Sequence, residues 1–133
     1  MKKLLAASVA VAAAAFGAPA FAQFHDNSRL YDSFSMGFES LPDKSAAHLL
    51  DLCNDFSGQT DTISNLRAAG TPRADLIKEL DKRLPANSKT NIAVRTITRT
   101  IVDVVYDYPV SARPQIASAV NSTCIAASAG VRK

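Results

Sequence analysis

Tryptophan is absent from this chain, and histidine and cysteine occur only twice each. His25 and His48 have no second histidine or cysteine at metal-ligand spacing, so no metal or cofactor is expected. Cys-x-x-Cys is missing, which argues against a thiol–disulfide oxidoreductase. Also missing are the Gly-x-Ser-x-Gly elbow, the Walker loop, the His-Glu-x-x-His helix and the glycine-rich nucleotide fingerprint. After residue 22 no apolar run approaches the roughly 18 residues of a transmembrane helix, so no such anchor is expected in the mature chain. A large charge of one sign is lacking too. The formal net charge is +3, and two of the 15 basic residues but none of the 12 acidic ones lie before residue 22. The remainder is close to neutral, and no basic patch is interleaved with aromatics, so nucleic acid is not an expected partner.

What is present begins with the first 22 residues. Lys2 and Lys3 form a basic start, Leu4 to Phe16 an apolar stretch, and Ala20-Phe21-Ala22 an A-x-A site. That is the pattern of a secretory signal peptide, cut before Gln23. The expected location is therefore periplasmic or secreted. In an oxidising compartment the even count of two cysteines favours a disulfide between Cys53 and Cys124. Such a bridge closes a loop of about 72 residues, for which the chain-entropy relation gives roughly 4 kcal/mol. Two buried thiols, or a bridge to another chain, are the alternatives.

Residues 23–43 read as an aromatic-bearing N-terminal arm, and 44–129 as the helical domain, with a tail at 130–133. In the arm, Leu30, Tyr31, Phe34, Phe38 and Leu41 recur at helical spacing, yet Phe34, Met36 and Phe38 also alternate as in a strand, and Gly37 weakens both patterns. The arm packs on the domain or offers an aromatic patch to a partner. Lys44 to Ala69 predicts a helix with Leu49, Leu52, Cys53, Phe56, Ile63 and Leu66 on one face. Asp43 or Ser45 caps its start, Gly58 bends or breaks it, and Gly70 ends it.

Thr71 is then a cap and Pro72 the first helical residue of the next segment, whose apolar face is Leu76, Ile77, Leu80 and Leu84. Thr90 to Tyr108 is rich in β-branched residues, which suits a strand. Its apolar positions Val94, Ile97, Ile101, Val104 and Tyr108 fall at spacings of three and four, and that periodicity predicts a helix ended by Pro109. Ser111 or Arg113 opens a last helix, with Ile116, Val120 and Cys124 on one face and Gly130 at its close. The expected fold is all-α: a small bundle of about four main helices.

Acidic pairs one helical turn apart, Asp51/Asp55 and Asp103/Asp107, could do acid–base work or hold a cation, and Arg95/Arg99 could meet an anion. On amphipathic helices the same residues also serve as a solvated face.

Three stretches carry a resemblance: Ala68-Ala69-Gly70-Thr71-Pro72-Arg73-Ala74-Asp75, then Val104-Val105-Tyr106-Asp107-Tyr108-Pro109, then Ala119-Val120-Asn121-Ser122-Thr123-Cys124. With Cys53 they resemble a loose group of small exported proteobacterial proteins, over residues of about 50–125. The resemblance implies a helical periplasmic domain with one disulfide, and no activity to carry over. In build the chain is also similar to the periplasmic acid-stress chaperones, although its cysteines are further apart and a lysine-rich tail is reduced to Arg132-Lys133. The immunity proteins against type VI secretion amidases share the start Leu49-Leu50-Asp51-Leu52-Cys53 but have a central Cys-x-x-Tyr-x-x-Gly that is missing here. The function expected is a non-enzymatic interaction or binding module with an unknown protein or envelope partner. The alternatives are an acid-stress-type chaperone, a toxin-neutralising immunity protein, or a small carboxylate-dependent hydrolase.

Overall fold

The computed structural model describes residues 24–131, and the expected signal peptide and its cleavage point lie outside them. Five helices follow in order: α1 Asn27–Glu39, α2 Ala46–Ala68, α3 Arg73–Arg83, α4 Lys89–Asp107 and α5 Arg113–Val131. A 3-10 turn at Val110–Ala112 leads into α5. Among the described residues there is no strand. α1 and α2 each pack against both α4 and α5, making a four-helix bundle, while α3 lies outside it against α4.

The core explains why each helix forms. Leu30, Phe34 and Phe38 of α1 are fully buried, and Phe34 meets Phe56 of α2 with ring centroids 5.6 Å apart. Ile97, Ile101, Val102 and Val104 of α4 face them, and Ile116 and Val120 of α5 close the other side. The period of three and four in α4 therefore overrides the β-preference of its valines, isoleucines and threonines, because burial along one stripe outweighs intrinsic propensity.

The expected arm is corrected by this packing. Residues 27–39 are a helix of the core, so the expected boundary at residue 43 separates nothing; the apolar residues Leu30, Phe34, Phe38 and Leu41 gain far more by burial than an arm could. Gly37, which obscured the pattern, marks a close crossing. A Cβ added there would stand 2.6 Å from Cδ1 and 2.9 Å from Cγ1 of Ile97. Gly37→Ala is therefore expected to destabilise the protein by about 1 kcal/mol, the overpacking exceeding the gain in helix propensity. A urea double-mutant cycle with Ile97→Val checks this, because trimming Ile97 should cost less once residue 37 is alanine.

Gly58 does not break α2, which runs unbroken from Ala46 to Ala68. A single interior glycine costs only about 1 kcal/mol, less than the buried face on either side returns. Ser45 caps α2 by accepting from the His48 amide, and the Asp43 carboxylate accepts from the Ser45 amide. That bond holds the Asp43 carboxyl below its ordinary value. Gly70 does end α2. At φ 94° it lets its own amide reach the Arg67 carbonyl and the Thr71 amide reach that of Leu66, the paired bonds of a Schellman cap.

Two further expectations shift. Pro72 is the cap residue of α3 and not its first helical residue, and no side chain caps that end. Gly130 does not close α5, which continues to the buried Val131.

Candidate functional site

The two cysteines sit on the apolar faces of their helices and form a disulfide, with Cα atoms 5.7 Å apart. They fasten α2 to α5 in an antiparallel pair, as a second contact one turn along, Ser57 Oγ to Asn121 Oδ1, makes plain. α2 and α4 run parallel: Thr98 donates to Gln59 Oε1, and Arg67, eight residues on, reaches the far end of α4. Two parallel helices need a crossover between them, and α3 is that crossover.

α3 buries no residue completely. Leu76, Ile77, Leu80 and Leu84 are half-buried against α4, and polar contacts hold both ends. At the N-terminal end Arg73 donates to Asp103 at 2.6 Å and to Asp107 at 3.4 Å. The bond to the Asp103 carboxylate raises the affinity of the Arg73 guanidinium for its proton. Arg29 of α1 reaches the other oxygen of Asp107 at 3.2 Å. At the C-terminal end Arg95 of α4 donates to the Leu84 carbonyl at 3.3 Å and lies 3.7 Å from Asp81.

Because α3 packs chiefly on α4, a groove of about 730 Å³ opens between α3 and α2. Ile63, Leu66, Leu76, Leu80, Leu84 and Val102 supply most of its lining. Gly58, Gln59, Thr62 and Thr98 form its polar edge, with Glu79 and Arg83 at the rim. A Cβ at Gly58 would meet nothing within 4 Å, so the α2 wall is low and open there. Arg83 donates to Glu79 at 2.8 Å, which together with Lys82 holds the Glu79 carboxyl below its ordinary value.

The sequence-predicted carboxylate pairs divide. Asp103 and Asp107 are brought together, but with Arg73 and Arg29, as a network that ties α1, α3 and α4. Asp51 and Asp55 are exposed on α2, outside any hydrogen bond or ion pair among the described residues. Arg95 and Arg99 do not converge: Arg95 turns to α3, while Arg99 is exposed. His25 stacks edge-on against Tyr108, centroids 6.0 Å apart, whereas His48 lies in the first turn of α2.

Three residues that brace the elements around the groove were not legible in the sequence. Arg67 donates one guanidinium nitrogen to the carbonyls of Val105 and Tyr108 and lies 5.4 Å from the Tyr106 ring centre. Tyr106 donates to the Thr71 carbonyl at 2.5 Å, fixing the bend before α3. Tyr108 donates to Asp26 at 2.7 Å, fixing the approach to α1. The closely spaced tyrosines before Pro109 were the available signal.

Burial pushes both tyrosine hydroxyls above their ordinary value of 10.0; the bond to the Asp26 carboxylate adds to the shift at Tyr108, while at Tyr106 the Arg67 charge opposes it. A raised folded-state value means stability fully present below pH 10.0 and lost as the pH climbs through the folded value. Thermal melts from pH 8 to 11 are expected to fall steeply above about 10. The fall should be shallower in the Tyr106→Phe/Tyr108→Phe variant, whatever its starting stability.

A disulfide-linked bundle carrying one outlying helix and an apolar groove beneath it is the class that fold and site define. Set beside known proteins, the chain matches no family model, no curated protein and no solved structure.

Proposed function

We propose that this protein is a non-enzymatic interaction module of the bacterial envelope or its surroundings, and that it binds through the groove between α2 and α3. The observation that carries this reading is the groove's lining. Leucine, isoleucine and valine from three helices converge on one concave surface of about 730 Å³, a size and character suited to binding. Monomeric proteins seldom leave such apolar surface open without a use. The carboxylates that a hydrolase would need at Asp103 and Asp107 are engaged by arginines and act as ties between helices.

The compartment is supported by the leader pattern and by the disulfide, since such bonds persist in oxidising surroundings. No helix among the described residues is long and apolar enough to cross a membrane. A photo-crosslinking residue at Leu66 or Leu80, compared with one at Ile125 of α5, tests the reading in the envelope of a bacterial host. Ile125 is 43% exposed and outside the groove. Discrete adducts from Leu66 and Leu80, absent from Ile125, are expected. Equal labelling at all three positions would overturn the assignment.

A further inference from the structure

We propose that the groove's occupant is a second copy of this chain, docked groove to groove about a twofold axis running along the groove. The proposal rests on the binding role assigned to that groove. Its own support is the charge carried by the two walls. On α2, Asp55 stands three residues before Gly58 and four before Gln59, so it continues the same face, and Asp51 lies one turn further back. Both carboxylates are exposed and outside any ion pair among the described residues.

The α3 wall carries the opposite charge at the same height. The Arg95 contacts to Leu84 and Asp81 level the end of α3 with the early part of α4, and Thr98 to Gln59 levels that part with α2. Arg83, 76% exposed and at the rim of the groove, therefore stands opposite Asp55. Lys82 and Arg83 share the carboxylate of Glu79, and Arg95 of α4 stands beside Asp81, so three cations meet two carboxylates and this end is left positive by one.

A twofold axis along the groove turns the molecule over and exchanges its walls. The α2 wall of one copy then lies over the α3 wall of the other, and Asp55 faces Arg83 twice in the dimer. The apolar strip from Leu66 to Leu84 becomes the shared centre, with charges at the rim where they set register. A twofold axis across the groove would instead oppose like walls. The near-neutral balance of the chain beyond residue 22 offers little repulsion to such pairing.

Analytical ultracentrifugation of the exported, oxidised protein tests this. A concentration-dependent shift to twice the monomer mass is expected. Asp55→Lys or Arg83→Glu should each weaken the dimer by about tenfold, since every substitution acts at two symmetric contacts. The double variant Asp55→Lys/Arg83→Glu, with the charges exchanged, should recover most of the loss. Circular dichroism confirms folding of each variant, as these side chains are exposed.

A monomer at all concentrations would overturn the proposal, as would a dimer indifferent to both charge reversals. The crosslinker at Leu80 separates this failure from that of the binding role. An adduct of twice the chain mass supports self-pairing. A discrete adduct to another molecule, formed by a protein that remains monomeric, overturns self-pairing and leaves the groove as a binding site.

Discussion

Replacing Cys53 and Cys124 together with alanine is expected to lower the unfolding free energy by roughly 2–4 kcal/mol, a large share of what a small domain has. The bridge spans 71 positions of sequence, so its loss returns long-loop freedom to the unfolded chain. Removing the sulfurs adds a packing cost, because Cys53 is 2% exposed and Cys124 0%. The midpoint of thermal unfolding should drop by about 10–15 °C. Reducing the unaltered protein should give a similar drop, since both treatments release the same loop. Free thiols found by alkylating the unfolded, unreduced protein would remove the basis of the prediction.

The second large effect is expected at Arg67. Its guanidinium serves carbonyls at the end of α4, where the helix leaves acceptors without partners and Pro109 has no amide to offer. That end also bears the negative pole of the helix, so a cation there is favoured twice over. Arg67→Met keeps the stem and removes the charge and the donors. A loss of about 2–3 kcal/mol is expected in urea unfolding, because half-buried carbonyls lose charged hydrogen bonds. Arg67→Lys should restore only part of this, as its ammonium is more strongly hydrated than a guanidinium and lacks the flat face set near the Tyr106 ring. Amide exchange should quicken first at the end of α4 and in the Thr71 bend, which Tyr106 holds beside Arg67.

Much of this fold was legible where apolar periodicity ran without interruption. The stripe from Val94 to Tyr108 specified α4 against the local β-preference, and Ile97, Ile101, Val104 and Tyr108 are all buried. The Gly70 cap was legible because a left-handed residue at a helix end is a local need. α1 was obscured by Gly37, whose reason lies 60 residues away at Ile97, in a contact no local pattern encodes. The unbroken course of α2 through Gly58 depends on burial at both ends, a sum over the whole helix. Gly130 failed as a stop because the burial of Val131 continues the helix past it.

The groove was harder to read. Leu76, Leu80 and Leu84 were visible as an apolar face, but not that α3 would rest chiefly on α4 and leave part of that face open. Arg67 and the two tyrosines belong to the same difficulty. Their partners are backbone carbonyls 35 or more residues distant, for Arg67 and Tyr106, and a carboxylate 82 residues distant, for Tyr108.

The position of the disulfide has a consequence for chain integrity. A cut anywhere between residues 53 and 124 opens the loop yet leaves both pieces covalently joined. The exposed bend from Pro85 to Ser88, between α3 and α4, lies inside that span and is the natural point of proteolytic attack. A molecule nicked there would run as one band without reductant and as two with it. The same bend would therefore tolerate an inserted tag or a pair of new termini, while the join between α2 and α5 keeps the halves in register.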